Sequence, residues 1–303
     1  MNNDEQDLDD LFSPKQTDLI KKAKSNSLKR MIITNILVTT ITLLMLSVIK
    51  WQLTPFILNR EMIKEQSINE IYGANTFVGP WDEEVKLLGS HATAPIFKFI
   101  NGIPIQVKTI KNKYNQMEYF IERNLDKYRY NGQKLLRFAH PDVKYNKYSQ
   151  EFSKLKDNSN AEIALSFDSS YSVSEVEEML PDNVLVNWLW VNDYPSEVLD
   201  ELSNEQQFLY ENEVIGISML ANDGTSLENP YSLFYENLQI ASKYRRADEE
   251  LKTLKKKITT NGSLDTSKIS IIGAVVSGKG SDLKKLEGLP FIKNASIGLT
   301  IQN

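Results

Sequence analysis

Cysteine is absent from the 303-residue chain, and histidine occurs only twice, as His91 and His140. The first absence excludes disulfides, thiol catalysis and cysteine-rich zinc sites. The second leaves any histidine-based metal centre dependent on carboxylates, so each histidine reads as an ordinary surface or satisfied residue. A basic excess is missing too. Lys and Arg number 35 against 40 Asp and Glu, for a net charge of −5. No basic patch interleaves with aromatics, which excludes direct nucleic-acid binding. Catalytic signatures are also wanting. Gly278-Lys-Gly280 lacks a third glycine and the Walker spacing, and reads as a turn. Ser166, Ser169, Ser170, Ser172 and Ser174 have no histidine nearby in sequence and sit in no Gly-x-Ser-x-Gly elbow. Trp81-Asp-Glu-Glu84 reads as a solvated acidic cluster rather than a calcium or carboxylate centre. The expectation is a protein with no enzymatic activity, no cofactor and no metal site.

One long hydrophobic run is present. Residues 31–49 carry no charge and lie between Lys29-Arg30 and Lys50-Trp51. As a helix the run is about 28 Å long, close to the hydrocarbon thickness of a bilayer. Lys15, Lys21, Lys22, Lys24, Lys29 and Arg30 precede it, whereas Lys50, Arg60 and Lys64 follow over a comparable stretch. The positive-inside bias therefore places the amino terminus in the cytoplasm and the bulk of the chain outside, with Trp51 at the outer interface. A cleaved secretory signal is the competing reading. The leading segment is long for one and no small-x-small site follows, so an uncleaved anchor is expected. Thr34, Asn35, Thr39, Thr40 and Thr42 are polar for a lone span. Hydroxyls that bond back to their own helix explain them better than a helix–helix contact face, and no Gly-x-x-x-Gly pattern is present.

Upstream of the run, Asp4, Glu5, Asp7, Asp9 and Asp10 surround Leu8, Leu11 and Phe12. Ser13-Pro14-Lys15-Gln16 then offers a helix start, with Ser13 as cap and Pro14 in the first helical position. Asp7, Leu8, Asp9, Asp10, Leu11 and Phe12 form a candidate partner-binding motif, an acidic-apolar peptide suited to a groove on a basic partner. A solvated, disordered end is the alternative reading of the same residues.

Beyond the run, Phe56–Ile71 continues as helix, and residues 72–147 carry the Gly, Pro and Asn punctuation of weak strands and turns. From residue 162 the pattern sharpens. Strands are expected over 162–167, 184–191, 214–219, 268–277 and 292–301. A capping box at Ser172–Glu175 opens a short helix, a long helix is expected over 231–258, and another short helix over 281–286. Strand, short capped helix, Leu-Pro and strand occur twice, with Ser172 to Pro181 spaced like Ser281 to Pro290. This β-α-β repeat points to an extracellular α+β domain with a mixed or antiparallel sheet and helices packed on one face. The expected organisation is a tail at 1–30, a single transmembrane helix at 31–50, a juxtamembrane helix and β-rich region at 51–150, and an α+β domain at 151–303.

Ala164-Leu-Ser-Phe-Asp168, Tyr171-Ser-Val-Ser-Glu-Val176, Leu180-Pro181 and Asn187-Trp-Leu-Trp-Val-Asn-Asp-Tyr194 together resemble the carboxy-terminal domain of the sigma factor regulator family, membrane-bound anti-sigma factors of Gram-positive bacteria. Ile271-Ile-Gly-Ala-Val-Val-Ser-Gly278, Leu283-Lys-Lys-Leu286, Leu289-Pro-Phe-Ile292 and Ala295-Ser-Ile-Gly298 are similar to the same carboxy-terminal domain. Lys21-Lys-Ala-Lys24, Ser27-Leu-Lys-Arg30, Arg137-Phe-Ala-His-Pro141 and Val143-Lys-Tyr145 are similar to the amino-terminal one. The resemblance implies a cell-membrane protein that restrains an extracytoplasmic-function sigma factor through its cytoplasmic part, under control of an outer sensory domain. The tail departs from the larger helical, often zinc-binding cytoplasmic domains of many anti-sigma factors. Either the short motif suffices, or a second membrane anti-sigma subunit contributes the capture domain. A reading from a different class is a membrane-anchored envelope binding or assembly module with no sigma partner.

Overall fold

A computed structural model describes residues 14–85, 90–113, 116–117, 134–244 and 249–302. Two compact units divide the chain, Met1–Ile57 and Leu58–Asn303.

One helix, α1 (Pro14–Tyr72), supplies all the described structure of the first unit and enters the second. From Asp18 to Ile49 every side chain is exposed, including the whole apolar run. It is long and apolar enough to cross a membrane. Its hydroxyls turn inward on the helix itself: Thr40 donates to the Ile36 carbonyl at 2.8 Å, Thr42 to Val38 at 2.9 Å and Ser47 to Leu43 at 2.8 Å. These three hydroxyls thus bond the backbone of their own helix one turn back. Pro55, which cannot donate to the Trp51 carbonyl, stands near the division between the units. Past it, Leu58, Met62, Ile68 and Ile71 are buried. Gly73 ends the helix, its N–H bonding the Asn69 carbonyl at 2.7 Å, and Asn69 Nδ2 reaches the Thr76 carbonyl at 3.2 Å.

In chain order the second unit continues with β1 (Phe77–Val78), β2 (Asp82–Val85), β3 (Ser90–Ile100), β4 (Ile103–Lys113), β5 (Gln116–Met117) and β6 (Arg137–Phe138). After a 3-10 turn at Glu151–Lys154 come β7 (Ser159–Tyr171), α2 (Val173–Met179), β8 (Leu185–Val191), α3 (Ser196–Glu205), β9 (Leu209–Tyr210) and β10 (Gly216–Ser218). The chain closes with α4 (Pro230–Tyr244), α5 (Glu249–Lys257), β11 (Thr259–Thr260), β12 (Ser263–Leu264), β13 (Ile271–Lys279), α6 (Gly280–Leu283) and β14 (Ile292–Gln302).

The main sheet has the order β10-β8-β13-β7-β14, with every neighbouring pair antiparallel. The two β-α-β units expected from the repeat are β7-α2-β8 and β13-α6-β14. Each is split, because β13 inserts between β7 and β8 while β7 inserts between β13 and β14. That interlocked order is the ferredoxin-like split β-α-β arrangement, with β10 added at one edge. The capping box is complete: Glu175 N–H donates to Ser172 Oγ at 3.3 Å and Ser172 N–H to Glu175 Oε2 at 2.7 Å. The stretch expected as one long helix is described as two, α4 and α5, with residues 245–248 outside the described residues.

Alternation along β7 sends Ile163, Leu165 and Phe167 to one face, where helices α2, α4, α5 and α6 cover them. Ile68 and Ile71 of α1 lie in this same core. Ala164, Trp188, Trp190 and Val275 point to the opposite face, closed by Leu136, Phe138, Val143 and Leu202 of α3. Gly273 makes room for the indole there, since a Cβ on it would lie 2.9 Å from Trp190 Cε3 and 2.4 Å from the Leu165 carbonyl oxygen.

The second sheet is built on a long hairpin. β3 pairs with β4 across Asn101-Gly102, whose φ values of 51° and 77° make a turn of the kind that matches strand twist. β1 and β2 pair with the other side of β3, and β5 with the end of β4. Ala94, Ile96 and Ile100 pack with Leu299 of β14, joining the hairpin to the main sheet.

Candidate functional site

The hairpin, the end of α1 and the main sheet meet at one buried cluster of polar side chains. Alternation along β3 places Lys98 on the same inward face as Ile96 and Ile100, and its side chain is 1% exposed. Its ammonium lies 2.7 Å from Glu162 Oε1 on β7 and 2.8 Å from Glu211 Oε2 after β9. One charge against two carboxylates is tolerable in a low dielectric only when further donors complete the set. They are present. Asn75 Nδ2 donates to Glu162 Oε2 at 2.8 Å, Leu299 N–H to Glu162 Oε1 at 3.0 Å, and Leu136 N–H to Glu211 Oε2 at 3.3 Å.

Asn75 takes the left-handed conformation, φ 55°, three residues beyond the end of α1, and so turns its amide inward. Asn187 Nδ2 on β8 donates to Asn75 Oδ1 at 2.8 Å and to the Phe99 carbonyl at 2.7 Å. Ser277 Oγ on β13 donates to Asn187 Oδ1 at 2.8 Å and accepts from Asn101 N–H at 3.0 Å. Gly298 permits the close approach of β14, because a Cβ there would lie 2.5 Å from Glu162 Oε1. The cluster therefore ties α1, the hairpin and strands β7, β8, β13 and β14 through charged and amide groups. It binds elements together; it presents no nucleophile.

A second polar region lies on the aromatic face. His140 is fully buried, with its Nε2 3.2 Å from Asn192 Oδ1 and its Nδ1 accepting from Asp142 N–H at 3.2 Å. Its ring meets those of Trp190 and Tyr194 edge-on. Burial pushes its pKa below the ordinary histidine range, with the Asn192 hydrogen bond opposing the shift. Next to it, burial raises Asp193 to about 6 against the pull of Lys257. His140 is thus a satisfied core histidine, as expected. His91 pairs with Glu84 at 2.9 Å across β2 and β3, with side chains 35% and 56% exposed. Among the described residues no group of three metal-binding side chains occurs. Gly280 is a packing glycine, since a Cβ on it would lie 2.1 Å from the Lys156 carbonyl oxygen.

The residues singled out as a partner motif, Asp7, Leu8, Asp9, Asp10, Leu11 and Phe12, lie outside the described residues. The buried cluster was not foreseen. Its available signals were the Asn-Gly pair between two apolar runs and the lysine at an inward position of an alternating strand.

Residues 152–299 match the family described as sigma factor regulator C-terminal. Neither the curated proteins nor the solved structures hold a match to the chain. The matched span takes in β7 through most of β14, the whole interlocked sheet with Glu162, Asn187, Glu211 and Ser277 of the buried cluster. Residues 152–299 are thus similar to the carboxy-terminal domain of sigma factor regulators, a family of regulators rather than a known enzyme family.

Proposed function

We propose that the protein is a single-pass membrane anti-sigma factor, or a component of one, that restrains an extracytoplasmic-function sigma factor under control of its outer domain. In this reading residues 1–30 are cytoplasmic, 31–50 cross the bilayer, and the regions 51–150 and 151–303 lie outside. The observation that carries it is the continuity of α1. A single helix begins in the basic segment, runs through the exposed apolar stretch and ends with Ile68 and Ile71 in the core of the family domain. The same helix therefore carries the apolar run and contributes side chains to that core.

The basic residues before the run, set against the fewer after it, favour a cytoplasmic amino terminus. The output is the acidic-apolar motif Asp7–Phe12, which offers a sigma factor one peptide contact rather than an enclosing domain. A second membrane subunit that completes the capture is accordingly part of the proposal.

The test is a pull-down from membranes with the full chain and with a chain lacking residues 2–13. A sigma factor should co-purify with the first and be lost from the second. Equal recovery, or no sigma factor with either, removes the tail from the mechanism. A reporter fused after Asn303 should be active only outside the cell.

A further inference from the structure

Beside β14 the cations and carboxylates are out of balance. Three positive groups converge on the single carboxylate of Glu151, which is itself buried. Lys154 Nζ lies 3.0 Å from its Oε1 and Arg137 Nη2 3.5 Å from the same oxygen, while Lys134 Nζ bonds Oε2. Ile297 N–H donates to Oε2 at 3.0 Å, so the carboxylate has no acceptor capacity to spare. The site therefore keeps a surplus of two positive charges. Lys134 and Arg137 are not loose surface groups: their side chains are 22% and 21% exposed, while Lys154, at 66%, stands at the open side.

The Arg137 guanidinium sits 5.5 Å from the Phe208 ring, held in place by an aromatic face. Its Nε is buried and donates to nothing among the described residues. Burial, together with the charges of Arg137 and Lys154, pushes the Lys134 ammonium below its ordinary pKa range. A fixed, half-buried surplus of positive charge with unused donors is unfavourable unless an anion completes it.

We propose that Lys134, Arg137 and Lys154 form a binding site for a phosphate monoester, with Glu151 as the group that holds the three cations in place. The surplus of two matches the charge of a phosphate monoester near neutral pH, and a guanidinium fork suits phosphate oxygens. A role of this ligand as the signal rests on the regulatory reading above. The binding does not.

The measurement is the acetylation rate of individual lysines, read by mass spectrometry on the full chain in phosphatidylcholine nanodiscs. Inorganic phosphate at millimolar concentration should slow Lys134 and Lys154 by about threefold or more relative to chloride at equal ionic strength. Lys284, paired with Asp157 at 2.6 Å elsewhere, should not change. In K154Q, whose exposed position spares the fold, protection of Lys134 should vanish; R137Q should do the same. Nanodiscs containing phosphatidic acid, without free phosphate, form the second arm. Protection there alone identifies a lipid headgroup as the source, and protection by inorganic phosphate alone identifies a free phosphate. No protection in either arm, or protection retained in both variants, overturns the site. Protection without any change in sigma-dependent transcription leaves the site standing and removes its role as the signal.

Discussion

The two ends of α1 share one helix and little else. From Asp18 to Ile49 its side chains are all exposed, whereas from Leu58 onward one face is core. Within the first stretch residues 31–49 carry no charge on any face, the composition of a candidate membrane span. The second alternates buried Leu58, Met62, Ile68 and Ile71 with exposed positions, the pattern of a helix packed against a sheet. The contrast shows where a perturbation can be felt: a residue of the exposed apolar run has no core to disturb, while a residue of the carboxy-terminal end of α1 acts through the fold.

The sharpest way to break this contrast is at the cluster beside the carboxy-terminal end of α1. Lys98→Met removes the buried ammonium that Glu162 and Glu211 both contact and should cost about 3–5 kcal/mol, measured by urea unfolding of the full chain in detergent. Ile71→Ala, which empties space in the helix-covered core, should cost about 2–5 kcal/mol by the same measurement. Ile36→Ala in the span should leave that transition unmoved, and an equal effect of the two would abolish the distinction.

Next in size is a pH effect. Burial raises Glu70, near the carboxy-terminal end of α1, to about 7 from an ordinary 4.5. Its favourable contribution is complete below 4.5 and is lost as pH rises through 7, a difference of about 3 kcal/mol. Glu70→Gln should flatten the fall in stability between those values. Glu151 runs the other way. Burial would raise it, but hydrogen bonds from Lys134, Lys154 and Ile297 hold it at about 2, so its contribution is present above 4.5 and lost on acidification toward 2. The smallest effect is at α2, where Ser172→Ala removes the capping box and should cost about 1 kcal/mol.

Much of the α+β domain was legible because its signals are local. The Ser172–Glu175 box, the β-prone Leu185–Val191 segment and the doubled strand–helix–strand pattern each depend on neighbours in sequence. The pairing was not legible. The repeat contains both split units, but nothing in their spacing says that β13 enters between β7 and β8. Residues 231–258 carry one apolar periodicity, yet are described as two helices on the same core. The buried cluster was hidden for a related reason. Lys98 within Phe97-Lys98-Phe99 looks like a charge that should face water, and only carboxylates distant in sequence, at 162 and 211, make its burial tolerable.

By itself the sequence determined the candidate span and the identity of the local elements. Freedom from charge over a bilayer's thickness, caps and side-chain periodicity act between residues a few positions apart. Tertiary structure decided that α1 ends inside the core, that the hairpin is fastened to the sheet through Lys98, and that three cations gather on Glu151. The first depends on apolar side chains that meet only in the fold; the other two depend on the energy of a buried charge, which is set by whatever the fold brings within about 4 Å of it rather than by its neighbours along the chain.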